Sequence, residues 1–300
     1  MEHSDWTGRT DGTPWMQRAL IAIFRYVDVR LMYVPMAFVV PFYMLFSRRS
    51  YRAIYDYYRH SLHKGPLRAF CGVYANHFAF GKVVLDRFAL YAGRKFSSEI
   101  EGNDHFLSLV ENGKGGIILG SHTGNFEICG YLLHSKGKRL NAVVSADETK
   151  TVQAARSRLW GHHNIGIITV SDDLSHIFDI HAALSRGELV CIASDRVFGS
   201  AKTTRQTLLD RPADFPIGPF AIAASLHVPV LTLFVMKEPR LRYRIFVQPL
   251  ADETTLAAVP RKSRPEFLAS NYVAHLDRMV RRYPNQWFNY YDFWRTHQTD

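Results

Sequence analysis

The two residues best suited to acid–base chemistry, His122 and Glu127, stand five positions apart. Five residues turn a regular helix through about 500°, so two side chains at this spacing in one helix point in different directions. The pair can meet only if His122 precedes a helix and Glu127 lies in its first turns, an arrangement that the backbone freedom of Gly124 allows. A carboxylate there would accept one imidazole N–H and leave the other ring nitrogen as a general base. The spacing thus predicts a catalytic dyad.

A simpler interpretation of the same pair is a solvated histidine in a turn, because a motif without context is weak. Position favours the catalytic interpretation. The apolar run 115–120 stops at Ser121, and a second apolar run at helical spacing begins at Phe126. This pattern predicts strand, turn and helix, and strand ends of α/β sheets are where sites are built. Backbone N–H groups of the turn near Gly124 and Asn125 would then be placed to stabilise an oxyanion.

Strands and helices alternate on both sides of this turn. Strands are predicted to Gly120 and over 140–145, 165–170, 189–193, 228–236 and 241–247, the last two as an antiparallel or edge pair. Helices are predicted over 66–93, from Asp104 to Gly113, to about Gly137, over 151–160, from 172 or 173 to 186, and over 215–226 and 264–282. Repeated strand–helix units predict an α/β fold with a mostly parallel central sheet flanked by helices.

The N-terminal region has a different composition. Residues 1–14 are polar and predict a flexible arm, whereas 31–46 are apolar throughout and are followed by Arg48, Arg49 and Arg52. The apolar run is shorter than the roughly 20 residues of a straight transmembrane helix. It predicts a hydrophobic helical segment that lies in or dips into a bilayer, with the arginines facing anionic headgroups. The alternative is a buried helix hairpin. We therefore divide the chain into a membrane-associating segment, 1–60, and a single α/β domain, 61–300.

Composition limits the partners. The 300 residues are 47% hydrophobic and 21% charged, with a formal net charge of +10. Such a balance implies an acidic partner: nucleic acid, anionic lipid or an acidic carrier protein. Nucleic acid is disfavoured because the aromatic residues fall mostly in apolar periodic segments. Three scattered cysteines predict buried free thiols. Neither the pair His162 and His163 nor the pair His176 and His181 has suitable partners for a metal, so no metal and no cofactor are expected.

The segment 121–127, Ser-His-Thr-Gly-Asn-Phe-Glu, resembles the His-x4-Asp/Glu motif of the lysophospholipid acyltransferase superfamily, and within it the bacterial lipid A late acyltransferases. Four more stretches agree in order: 156–161, 185–196 with its strand-end Ser194-Asp195-Arg196, 210–219 with Gly218, and 283–287, Tyr-Pro-Asn-Gln-Trp. Together they span roughly residues 66–295. The tail 288–294 is less basic than in typical lipid A enzymes, and Lys237 stands where arginine is common, which leaves the acceptor open.

The resemblance implies an O-acyltransferase at the cytoplasmic face of the bacterial inner membrane. It would move a fatty acyl group from acyl carrier protein or coenzyme A to a hydroxyl, or an amine, of a lipid acceptor. His122 would be the base and Glu127 its orienter, with Gly124, Asn125, Asp195, Arg196 and Gly218 binding substrate. Arg196 could hold a phosphate or carboxylate bidentately, and Arg205 and Lys202 are weaker candidates.

Two other classes of function stay open. A thioesterase or hydrolase would use the same dyad on water and release its product without an acceptor. A non-catalytic membrane-binding protein would explain the charge and the N-terminal segment, but not the turn that carries His122 and Glu127.

Overall fold

The computed structural model describes residues 13–111, 113–132, 137–145, 164–170, 175–197, 202–226, 228–251 and 253–294. The predicted helix 151–160 and most of the predicted N-terminal arm lie outside these residues, as does the side chain of Glu127.

Helices form the N-terminal part of the chain and flank a central sheet. In order they are α1 (Pro14–Phe24), α2 (Val29–Phe46), α3 (Arg48–Asp56), α4 (Pro66–Tyr91), α5 (Asn103–Glu111), α6 (Cys129–Leu132), α7 (Ser175–Ser185), α8 (Gly218–Leu226), α9 (Glu253–Ala258) and α10 (Arg264–Arg282). A π-helical turn, Tyr57–Ser61, follows α3, and 3-10 turns span Phe126–Ile128, Arg261–Ser263 and Pro284–Gln286.

The strands form one large sheet and one hairpin. They are β1 (Ser97–Glu101), β2 (Gly116–Gly120), β3 (Leu140–Ser145), β4 (Ile165–Val170), β5 (Leu189–Ala193), β6 (Thr203–Leu208), β7 (Arg211–Pro216), β8 (Val230–Glu238) and β9 (Arg242–Pro249). The seven-stranded sheet has the order β1-β9-β8-β2-β5-β3-β4, and β6 pairs with β7. All neighbours in the large sheet are parallel except β8 and β9. This confirms the predicted α/β fold.

Burial explains why the central strands are continuously apolar. Every residue of β2 is buried. Ile117 and Leu119 belong to the core on one face, with residues of α8 and α10, whereas Ile118 belongs to the core on the other face, with residues of α5 and α6. Successive residues of a strand point to opposite faces of the sheet. When both faces are covered, residues at successive positions are all buried and therefore apolar.

The three N-terminal helices, α1 to α3, all pack against α4. Helix α2 packs against α4, and Val40 and Met44 of α2 enter the main core. Nevertheless only 17% of α2 is buried, and its length and mean hydropathy of 1.7 are sufficient for a membrane span. The predicted division at residue 60 stays a prediction.

Several elements differ from the prediction. Strand β1 was missed because four of its five residues are exposed, so the sequence has no apolar pattern there that would indicate a strand. As a result β9 is an inner strand, between β1 and β8. The hairpin β6–β7 was also missed, and α8 begins at Gly218 instead of 215, since Phe215 pairs within β7. Of the three predicted buried thiols, Cys129 and Cys191 are buried, but Cys71 lies on the exposed side of α4.

Candidate active site

The candidate site lies where two adjacent parallel strands end. In the register of β2 and β5, Gly120 is opposite Ala193, and the N–H of Ser194 donates to the Gly120 carbonyl at 3.0 Å. His122 and Asp195 each stand two residues beyond these positions. Carboxyl ends of parallel strands are where α/β proteins build sites. The fold therefore brings His122 and Asp195 together, although 73 residues separate them in the chain.

Several short contacts join His122 and Asp195. Nδ1 of His122 lies 2.7 Å from Oδ1 of Asp195, and the His122 backbone N–H donates to both carboxylate oxygens at 3.1 and 3.0 Å. The Asp195 side chain is 1% exposed, whereas that of His122 is 30% exposed. One nitrogen of the imidazole is thus held by a buried carboxylate, while the His122 side chain remains partly exposed.

The pKa of Asp195 reflects two opposed effects. Burial by itself raises the pKa of this carboxyl, but the charge and hydrogen bonds of His122 and the nearby Arg196 guanidinium outweigh burial and hold the pKa below its usual value. Asp195 is therefore ionised at neutral pH. An ionised carboxylate favours the imidazole tautomer in which Nδ1 carries the proton. It also stabilises the imidazolium that forms when the ring accepts a second proton.

The turn after β2 has a shape that only glycine allows. Gly124 has a φ of +54°, and a Cβ there would lie 2.1 Å from the Val235 carbonyl oxygen. The N–H of Gly124 donates to Gln286 O, and that of Asn125 donates to Val235 O, each at 2.7 Å. The interpretation of these two amides as oxyanion donors is therefore wrong: backbone carbonyls already occupy both. The assignment of the two residues to substrate binding stays a prediction.

The Asn125 side chain joins the turn to a buried polar cluster. Its Nδ2 donates to the Tyr243 hydroxyl at 3.1 Å, and that hydroxyl donates to Asp86 on α4. Asp86 also accepts from Tyr33 of α2 and forms an ion pair with Lys237 at 2.5 Å. Lys237 and Asp86 are 10% and 0% exposed. This Asp86 cluster connects the apolar helix α2 to the turn that carries His122.

The other predicted site residues take different places. Arg196 is 6% exposed, and its guanidinium donates to Phe288 O at 2.6 Å. Burial lowers the pKa of Arg196, which the Asp195 charge partly offsets. Glu127 lies in the turn Phe126–Ile128, and Gly218 begins α8. Their functional roles stay predictions, as does that of Arg196.

Sequence reasoning missed the contact between Asp195 and His122 and gave that role to Glu127. Each of the two contacting residues follows a predicted strand by two positions, which was the available signal. The signal could not be used because β2 and β5 are neighbours only in the folded sheet, where the intervening β3 and β4 lie beyond β5.

Two surface cavities lie among the described residues, and neither is lined by His122 or Asp195. The larger of two surface cavities, about 360 Å³, is lined by Gly115, Gly187 and Val228, just before β2, β5 and β8 begin. The cavity therefore lies at the amino ends of these strands, whereas His122 lies at the carboxyl ends. Among the described residues, no group of His, Cys, Asp and Glu has the arrangement of a metal site.

A partly exposed histidine held by a buried carboxylate at the strand ends of an α/β sheet is an arrangement suited to general-base catalysis on a hydroxyl or water. Residues 92–296 match the model of the family described as bacterial lipid A biosynthesis acyltransferase. The chain therefore belongs to this family and is an O-acyltransferase, as its motifs predicted. The comparison with curated proteins found no match.

Proposed function

We propose that the protein transfers a fatty acyl group from a thioester of acyl carrier protein or coenzyme A to a hydroxyl, or an amine, of a lipid or lipid-like acceptor, with His122 as the general base. The observation that carries this proposal is the 2.7 Å contact between Nδ1 of a partly exposed His122 and the buried Asp195. Because Nδ1 contacts the carboxylate, we assign the proton transfer to Nε2.

The chemistry that follows is a direct acyl transfer. Nε2 of His122 removes the proton of the acceptor hydroxyl while the oxygen attacks the thioester carbonyl carbon. The tetrahedral intermediate collapses, the carbon–sulfur bond breaks, and the thiolate takes the proton back from the imidazolium. An ester and a free thiol are the products. An alcohol is a poor nucleophile until a base removes its proton, so the transferred proton is the reason a histidine is needed.

Two carboxylates are available to support the base. Asp195 holds Nδ1 in the structure, and Glu127 follows His122 at the spacing of the family motif. We propose that Asp195 fixes the tautomer of His122 and that Glu127, at the spacing of the family motif, supports the same base. Replacing Asp195 with Asn should then impair the chemical step at least as strongly as replacing Glu127 with Gln.

The acyl-transfer assay should separate transferase from hydrolase. Purified protein, a radiolabelled acyl thioester of each carrier and a membrane lipid extract are incubated, and the products are analysed by mass spectrometry. Transfer predicts an acylated lipid that is absent with His122→Ala. Release of free fatty acid alone, at an undiminished rate without the extract, would show a thioesterase instead. The mass of the lipid product identifies the acceptor and the acyl chain.

We also propose that α2 attaches the protein to the cytoplasmic face of the bacterial inner membrane. The side chains of Phe38, Phe42 and Phe46 are four residues apart on one side of the helix and are 70%, 63% and 86% exposed. Burying such rings in a bilayer removes apolar surface from water. The basic residues Arg48 and Arg49 follow directly, where anionic headgroups would meet them.

The membrane proposal is tested without deleting α2, because its Val40 and Met44 belong to the core. Phe38, Phe42 and Phe46 are all replaced by Ser, and binding to vesicles of phosphatidylethanolamine and phosphatidylglycerol is measured by co-sedimentation. Each buried Phe contributes about 1.5–3 kcal/mol, so the three replacements together should lower the partition coefficient by about 10³-fold or more. Phe178→Ser is the matched control, since Phe178 on α7 is 77% exposed. Equal binding of the two variants would contradict the proposal.

A further inference from the structure

The segment that follows α10 is built into the turn that carries His122. Gln286 O accepts from the N–H of Gly124 at 2.7 Å, and the N–H of Phe288 donates to His122 O at 3.0 Å. Thr123 and Trp287 form an antiparallel bridge between these two bonds. The backbone of 286–288 therefore acts as a short added strand along the turn.

Side chains hold this segment in place. Oε1 of Gln286 accepts from the Lys237 N–H and its Nε2 donates to Lys237 O, both at 2.8 Å, so the amide pairs with the backbone of β8 as a strand would. On α4, Asn76 donates to Trp287 O at 2.9 Å. Residues far apart in the chain thus fix the position of Trp287.

The indole of Trp287 contacts the carboxylate that holds His122. Nε1 of Trp287 donates to Oδ2 of Asp195 at 3.4 Å, and Oδ1 of the same carboxylate contacts Nδ1 of His122. Trp287 is 1% exposed, and its ring packs against Tyr57, Phe293 and Trp294 with centroids 5.3, 4.9 and 5.6 Å away. A ring this confined has one orientation, so its N–H is a fixed donor.

We propose that Trp287 is a positioning residue for the reaction at His122: its indole N–H holds Oδ2 of Asp195 so that Oδ1 stays on Nδ1 of the imidazole. This inference rests on the proposed function of His122. Without the indole donor, the one remaining hydrogen bond to Oδ2 from the described residues is the 3.0 Å bond from the His122 backbone N–H. The carboxylate can then rotate away from Nδ1, and the base loses its fixed orientation for part of the time.

The donor also acts on charge. It withdraws some of the negative charge that Asp195 presents to His122. Among the residues that the structure describes, the other ionisable groups that interact with Asp195 are Arg196, Tyr272 and Tyr291. Removing the donor leaves more negative charge beside the imidazole, which favours its protonated form. The pH at which activity rises should therefore move upward. Because 3.4 Å is long for a hydrogen bond, the shift should be about half a pH unit, which is about threefold in the fraction of free base.

The test compares two tryptophans of the same aromatic cluster. Trp287→Phe removes the donor to Asp195. Trp294→Phe is the matched control, because Nε1 of Trp294 is buried without a hydrogen-bond partner among the described residues. Single-turnover acyl transfer is measured from pH 5 to 9. We expect Trp287→Phe to be slower by roughly threefold to tenfold at low pH, with the acidic limb of the profile shifted to higher pH and both substrate KM values unchanged. The control should keep the wild-type profile.

A second variant isolates the N–H itself. Trp287 is replaced by 3-benzothienylalanine, which has the shape of tryptophan with sulfur in place of N–H, so folding is preserved. The ¹⁵N resonances of the His122 ring, assigned by their absence in His122→Ala, are titrated in each protein. An upward shift in the titration of this ring supports the inference, and titration and rates identical to wild type overturn it. Failure of the proposed function is a separate result, since wild type would then form no acylated lipid.

Discussion

Replacing Lys237 with Met tests whether the Asp86 cluster supports the turn. The variant keeps the side-chain length but removes the ammonium that pairs with Asp86 at 2.5 Å. Breaking a buried ion pair by removing one partner typically costs about 3–5 kcal/mol, because the remaining charge is buried without compensation. Tyr33 and Tyr243 still donate to Asp86, so we expect the lower end, about 3 kcal/mol. This corresponds to a decrease in Tm of about 5–10 °C.

Replacing the other partner of the ion pair, Asp86, should give a destabilisation that depends on pH. Asp86→Asn leaves Lys237 buried without its counter-ion, and burial already lowers the pKa of this lysine. When a lysine has a folded pKa below its unfolded value, the unfolded state binds more protons between the two values, so stability rises with pH there. The destabilisation by Asp86→Asn should therefore shrink from pH 7 to pH 9.5. That of Lys237→Met should not, because it has no lysine to deprotonate.

Urea unfolding followed by tryptophan fluorescence measures both effects. Lys82→Met is the matched control: Lys82 is a half-buried lysine on α4 that is repelled by Lys237 and attracted by Asp86, so the two effects offset each other and its loss should change stability by less than about 0.5 kcal/mol. If Lys237→Met is as stable as the control at pH 7, the ion pair does not hold the cluster together. If the Asp86→Asn cost is the same at both pH values, the argument from buried charge is wrong.

Three further predictions concern the turn and its surroundings. Gly124→Ala should lose most acyl-transfer activity and about 1–3 kcal/mol of stability, since its φ is +54° and a Cβ would meet Val235 O; unchanged activity would contradict the geometry of the turn. Burial lowers the pKa of His275 to about 4, so stability should fall as pH decreases through 6.5 toward 4, and His275→Gln should flatten this part of the urea-unfolding profile. Arg196→Lys loses the contact with Phe288 O and should reduce stability by about 1–3 kcal/mol, whereas a rise in acceptor KM alone would show acceptor binding.

The sequence predicted those parts of the fold that depend on local pattern. Strands β3, β4 and β5 have the predicted bounds, because a buried strand between turn residues is a continuous apolar run. The helix α10 has the predicted bounds, 264–282. Strands β1 and β6 were missed because their residues are mostly polar and form no continuous apolar run. Strand β7 was missed because Arg211 and Asp214 interrupt its apolar residues.

The site was predicted only in part. His122 was found because its turn has a local signature, and Asp195 was found as a strand-end residue of the right family segment. Their mutual contact depends on the order of strands in the sheet, which periodicity does not encode. The same holds for Trp287, which a local pattern places in a tail but which the fold brings to the Asp195 carboxylate.

The central claim is that His122 and Asp195 act as one unit, and a double-mutant cycle on single-turnover acyl transfer tests it most directly. General-base contributions are typically ~10²–10⁴-fold, so His122→Ala should lose that much, and Asp195→Asn should approach it. Residues that act together are not additive, so the double variant should be hardly slower than His122→Ala, with circular dichroism showing that all three remain folded. Defects that multiply in the double variant, or full activity of His122→Ala, would contradict the account.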